Sequence, residues 1–307
     1  MAAENIILAT DTLGGYMVHT KLSKNVYHAA NPILKFRQFT QLKEAFGKNQ
    51  GDAVLINKWS AITTAGGALT EGTDMTMHGA TLSQVTLTLT EYGNPIDFSS
   101  KVATLANNAI EKEISIVLAR DAAKTIDTTI EGIWDGAQLR YVGTSTSGGA
   151  MTTNGTATAT NTSVLNAFHV KEIIDYLRAA NVPTHTQDDF VCVGTTKALR
   201  GLKDDSSWEN AALYGDTKRL FNGEAGKFYG CRFIETNNAM SAAIGAGTLT
   251  GEAYFIGGDF CAEALALPLQ VRKELPKDFG RRLALAWYMI GGWCLVQSSY
   301  GLKWDSA

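Results

Sequence analysis

A basic surplus is missing. Lys and Arg number 27 against 30 for Asp and Glu, giving a net charge of -3. A protein that grips nucleic acid by neutralising phosphates carries a basic excess or a basic run. This chain has neither, so beside DNA it would enclose the DNA without binding it strongly. Long apolar runs are missing too: no stretch of about 18 apolar residues occurs, so nothing is expected to span a membrane. The start MAAENIILAT lacks the basic residues and apolar core of a secretory signal, which predicts synthesis in a cytoplasm. Cysteine is sparse and unpaired. Cys192, Cys231, Cys261 and Cys294 lie far apart with no CxxC spacing, which removes a zinc site and a disulfide framework and leaves buried free thiols.

Signatures of catalysis are also lacking. Gly223-Glu224-Ala225-Gly226-Lys227 resembles the tail of a phosphate loop, but Phe221 and Phe228 stand where that loop needs Gly and Ser or Thr. Gly245 and Gly247 do not complete GxGxxG, because Thr250 fills the third place. None of His19, His28, His78, His169 and His185 has a metal-ligand spacing. His169 reads as a capping or surface contact and His185 as a solvated loop residue. No GxSxG elbow exists, and Cys192 has no visible base. The acidic pairs Asp188-Asp189 and Asp204-Asp205 fall at element boundaries, where Asp caps helices or opens turns. No catalytic, cofactor or metal residue is therefore expected.

What is present is enough apolar residue, 45% of 307, to bury a large core. Residues 1–50 carry few core signals and read as an arm, with an apolar and basic segment from Asn31 to Phe39. Asp52 to Trp59 and Leu82 to Tyr92 read as strands, the second alternating Val85, Leu87 and Leu89 with Thr86, Thr88 and Thr90. The Thr, Gly and Ala-rich link Ser60 to Thr81 is several times the usual loop length. It predicts a two-stranded projection, which is marginal alone in water and has to lie on a partner surface.

After a break at Gly93-Asn94-Pro95, Ser99 to Trp134 predicts one helix of roughly 50 Å. Its apolar steps include Val117, Leu118, Ile126 and Ile130. Ala137 to Gly143 reads as a strand and Thr144 to Thr162 as a polar, mobile loop. Ser163 to Ala180 predicts a helix capped by Ser163, with Phe168 and Val170 on its buried side. Strands follow at Phe190 to Val193, Lys227 to Glu235 and Ala253 to Ile256, with a helix at Thr196 to Leu202. Leu267 to Arg272 and Leu283 to Gln297 suit a buried strand pair with a glycine bulge at Gly291-Gly292 better than a core helix.

Particular stretches carry a family likeness: NPILKFRQFTQLKEAFGKNQGDAV (31–54), ALTEGT (68–73), TLTEYGN (88–94) and WENAALYGDTKRLFNGEAGKFYGCRFIET (208–236). With the order of elements, they resemble the major capsid proteins of tailed phages (Caudoviricetes), and more narrowly the N4-like major capsid family. The resemblance implies an α+β coat fold, named after a phage isolated in Hong Kong. Its parts would be an N-terminal arm (1–50), an extended β-loop (51–98), a peripheral domain with the spine helix (99–162), an inserted axial domain (163–260) and the C-terminal strands of the peripheral domain (261–307). It implies self-assembly into hexamers and pentamers of an icosahedral shell in the virion, enclosing double-stranded DNA without sequence-specific binding. Portal, and scaffolding or decoration, proteins are the expected partners, with a separate scaffold or none. Subunit-contact candidates are Phe36, Phe39, Trp59, Leu69, Glu71, Met75 and Met77. Two alternatives remain open: an encapsulin-like nanocompartment shell of the same fold, and a cytoplasmic αβ enzyme.

Overall fold

The computed structural model describes residues 8–9, 34–45, 51–59, 66–72, 74–75, 77–105, 110–159, 161–185, 188–206, 208, 224–236, 251–275 and 278–304. Most of the expected arm, segment 60–65 of the projection and residues 209–223 of the longest motif lie outside them.

One sheet has the strand order β1-β5-β13-β12-β2. It is built from β1 (Leu8–Ala9), β2 (Gln41–Ala45), β5 (Thr90–Ser99), β12 (Cys261–Lys273) and β13 (Arg282–Leu295). In β13 the side chains of Leu283, Leu285, Trp287 and Met289 are buried while those between them are half-exposed. That period of two settles the choice between strand and helix. The buried row packs against α2 (Ile110–Trp134), whose buried positions Ile114, Leu118, Ala122, Ile126, Ile130 and Trp134 recur every four residues. Alanines at 119, 122 and 123 let the helix lie close to the strands. At its C-terminal end Trp134 sits edge-on to Phe36, Tyr254 and Phe260, with ring centroids 5.0, 6.0 and 5.8 Å away.

The second sheet runs β7-β6-β14-β11-β8-β10-β9. Its strands are β6 (Leu139–Ser145), β7 (Gly148–Thr152), β8 (Phe190–Gly194), β9 (Glu224–Phe228), β10 (Cys231–Glu235), β11 (Ala253–Ile256) and β14 (Gly301–Trp304). Both faces are covered. Val191, Val193, Tyr254 and Ile256 point into the α2 core; Phe190, Cys192, Ala253 and Phe255 point into a second core with α3 (Ala167–Ala179) and α4 (Thr196–Lys203). Strands buried on both sides read as continuous apolar runs, as these do.

Several sequence expectations need correction. The spine helix begins at Ser100, because Ser99 ends β5; α1 (Ser100–Leu105) and α2 are described, and 106–109 lie outside the described residues. Val117 faces solvent. Gly93-Asn94-Pro95 does not break the chain but lies inside β5, paired with Tyr288, Trp287 and Ala286. A Cβ at Gly93 would come within 2.8 Å of the Trp287 carbonyl, so glycine permits the pairing. The expected loop 144–162 contains β7, folded back on β6, with Gly149 under the Tyr141 ring. The helix starts later than expected: Asn166, not Ser163, accepts from the His169 amide, and Phe168 is largely exposed. The expected strand Lys227–Glu235 is the β9–β10 hairpin, turned by Tyr229 (φ 49) and Gly230 (φ 77). The bulge opposite Gly291 falls on β12 between Leu265 and Leu267. β6, β7 and β14, which lie outside residues 163–260, pair within the seven-stranded sheet.

Candidate assembly surface

β3 (Ala53–Trp59) and β4 (Leu82–Thr88) form a separate antiparallel ribbon, in register from Ala53 opposite Thr88 to Trp59 opposite Leu82. Opposed residues share a face. On the inner face Val54 and Leu87 are buried against Ala262 and Ala264, flanked by Ile56, Leu89, Cys294 and Val296. The Leu89 amide donates to the Asp52 carbonyl at 2.8 Å, and Lys58 donates to the side chain of Gln297. Gly292 makes this root possible: a Cβ there would come within 2.1 Å of the Thr88 carbonyl. On the outer face Leu55, Asn57 and Trp59 oppose Thr86, Gln84 and Leu82, and Gln84 Nε2 donates to Asn57 Oδ1 at 2.8 Å.

The direction of the ribbon follows from the register. β5 pairs Ser99 with Arg282 and Thr90 with Gly291, Thr88 meets Gly292, and Lys58 reaches Gln297. The ribbon thus continues past the C-terminal end of β13, away from the β12–β13 turn. Its outer face and the chain beyond it expose Leu55, Trp59, Leu69, Met75, Met77 and Leu82, with Met77 96% exposed. Glu71 is exposed beside them. Exposed apolar side chains grouped in this way are a candidate interaction surface.

The other two contact candidates sit elsewhere. Phe36 is fully buried in the chain's own core, and Phe39 packs edge-on to His185 at 5.5 Å. The segment around them is held by Glu263, which is buried and takes Arg37 at 2.7 Å and the Thr40 hydroxyl at 3.1 Å. His185 Nε2 donates to the Phe39 carbonyl of the same segment at 3.2 Å, so it is not a solvated loop residue. Sequence reasoning missed a second exposed apolar site, Leu275 and Phe279 at the β12–β13 turn. A bulky residue at a loop tip flanked by Pro and Gly was its available signal.

Cys192, Cys231 and Cys261 are buried free thiols, and Cys294 is half-buried. Burial raises the Cys261 thiol to about 12 and Cys294 to about 11, far from a reactive thiolate. Asp189 is not a cap but is buried between Lys227 (2.5 Å) and Arg232 (3.1 Å). Asp205 accepts from the Ala167 amide at 3.1 Å, where α3 begins. His169, fully buried, lies 3.2 Å from the Tyr141 hydroxyl and against Trp304. Among the described residues no cluster suits a metal ion, and no helix is long and apolar enough to cross a membrane.

No protein-family model matches the chain, and no curated protein matches it. Solved structures do. The capsid of cyanophage P-SCSP1u aligns over 97% of this chain and 92% of its own at 11% identity, with a TM-score of 0.64. The head of Helicobacter pylori bacteriophage KHP40 aligns over 99% and 96% at 13% identity, with a TM-score of 0.62. A virus-like particle from Pyrococcus furiosus aligns over 93% and 98% at 10% identity, with a TM-score of 0.56. Across nearly its whole length, this chain adopts the α+β coat fold of phage capsids.

Proposed function

We propose that this chain is the major capsid subunit of a tailed phage, assembling with copies of itself into the icosahedral shell that encloses a double-stranded DNA genome. The observation that carries this reading is the two-stranded ribbon, which buries only its root and presents Leu55, Trp59, Leu69, Met75, Met77 and Leu82 to solvent on a capsid fold. A lone ribbon gains stability only from a surface beside it. In a shell that surface is a neighbouring copy, and modest contacts repeated around each subunit sum to a stable particle.

The remaining parts of the reading follow. The role is structural, not catalytic. The seven-stranded sheet with α3 and α4 would be the axial domain, and the five-stranded sheet with α2 the peripheral one. The net charge of -3 suits an inner wall that does not pin DNA. Synthesis in the host cytoplasm, and a portal and scaffolding or decoration proteins as partners, belong to the same reading. The narrower likeness to the N4-like coat family rests on the sequence motifs. The Pyrococcus furiosus particle keeps a second reading in play, a nanocompartment shell, which particle contents and diameter separate from a phage head.

Replacing residues 60–81 by Asn-Gly closes the ribbon in a two-residue turn between Trp59 and Leu82. The shortened chain should melt as a folded, soluble monomer and form no shells on sizing and microscopy. Shells of normal size from this variant would remove the ribbon from the assembly mechanism.

A further inference from the structure

The net charge of -3 belongs to the whole chain, and the faces of α2 do not share it evenly. Most acids of this helix are taken up within the subunit. Glu111 accepts from Lys273 at 2.7 Å, and Asp121 from the Trp287 indole at 2.7 Å and the Asn94 side chain at 3.0 Å. Asp127, fully buried, accepts from the Lys35 backbone amide at 3.2 Å, and Glu131 from the Tyr254 hydroxyl at 2.9 Å. Glu113 is the one acid of α2 left exposed.

The cations are left outside. Lys112, Arg120 and Lys124 are all exposed, and none of the three has an ion-pair partner among the described residues. With Val117 and Thr128 they form one solvent-facing strip, because the buried positions 114, 118, 122, 126 and 130 occupy the other side of the helix. Arg120 and Lys124 stand one turn apart, and like charges at that spacing weaken a helix. From Lys112 to Lys124 the strip runs about 18 Å. Where it ends, the bond from the Lys35 amide to Asp127 brings a further cation, the half-buried Lys35, against the helix. The strip is therefore basic on a chain that is acidic overall, and its like charges lack a counter-charge of their own.

We propose that the exposed strip of α2 is a contact for the phosphate backbone of double-stranded DNA. This inference rests on the shell reading and names the face of the subunit that looks onto the genome. Lysine and arginine on phosphates carry no sequence information, so the contact is indifferent to sequence. Three neutralised phosphates give a salt slope of about -2.7, and binding then falls roughly 40-fold between 50 and 200 mM salt. So shallow a contact lines the wall with DNA and releases it readily, in keeping with a shell that does not pin its contents.

The test titrates a short labelled duplex of arbitrary sequence with the full chain, held below the concentration at which it assembles, and follows anisotropy from about 50 to 200 mM salt. Arg120→Gln with Lys124→Gln should weaken binding about tenfold at the low salt and lower the salt slope by about two, with melting unchanged. Lys171→Gln with Lys197→Gln removes two exposed cations from α3 and α4 and should leave both readings as in wild type. An equal loss in the two double variants, an unchanged slope in the first, or wild-type chain that leaves the duplex free at low salt overturns the contact. Poly-glutamate held more tightly than the duplex would assign the strip to an acidic protein and overturn it as well. Wild-type shells in the microscope beside any of these results keep the capsid reading standing, whereas their absence, with and without a scaffolding protein, removes that reading whatever the duplex does.

Discussion

Burial holds the His169 imidazole below its ordinary value near 6.5, although Glu172 nearby and the Ser145 backbone pull the other way. The groups facing it are the Tyr141 hydroxyl at Nδ1, the Ser163 hydroxyl 3.5 Å from Nε2, and the Trp304 ring. Tyr141 in turn donates to Glu172, and burial with that carboxylate raises its own pKa. A histidine depressed on folding contributes stability that is complete above its unfolded value and lost as pH falls below it. The melting temperature should therefore drop between pH 7.5 and 5, and His169→Gln should flatten that drop; an equal slope in both proteins contradicts the role. His169 is not the capping or surface contact its sequence setting suggests: it is fully buried, on the same helical stripe as Val170, Ile173 and Ile174. Phe36 and Trp59 teach the converse. Both are aromatics in segments read as reaching outward, yet Phe36 lies edge-on to Trp134 in the core and Trp59 is 69% exposed. Phe36→Ala should cost about 3–5 kcal/mol of subunit stability in denaturant unfolding, and Trp59→Ala less than about 0.5 kcal/mol. The reverse ranking would place the ribbon and the core wrongly.

Elements with a strong local period were legible before their structure was. Leu87 alternating with Thr86 and Thr88 predicts a strand with one buried face, and the ribbon has it. Elements whose existence depends on a turn or a close approach were not. Tyr229-Gly230 looks like the middle of a strand, and its positive backbone angles fold β9 onto β10. β7 is mostly glycine, alanine and threonine, so no hydrophobic alternation announces it. The glycines of β13 suggested a bulge in their own strand, whereas Gly292 clears space for the ribbon root. Gly292→Ala should push Thr88 and Leu87 off β13 and cost about 1–3 kcal/mol of overpacking. Faster amide exchange at the root of β3 and β4 would report it, and unchanged exchange there would contradict the packing.

At the scale of the whole molecule, the order of parts and the scattered motifs indicated the coat fold, and the capsid structures share it from end to end. The grouping of strands into sheets was not legible. β14 pairs in parallel with β6 across more than half the chain, and no local pattern encodes a partner so distant. The same long reach explains the architecture: early and late segments meet around α2, and the ribbon and turn extend from the two ends of one strand pair. Such a subunit has its unsatisfied surface where neighbours would be. Electron microscopy of the protein, expressed alone and with a scaffolding protein, tests this most directly. The account predicts closed shells or curved sheets in which each ribbon lies on an adjacent copy. A monodisperse monomer under both conditions at high concentration would contradict it.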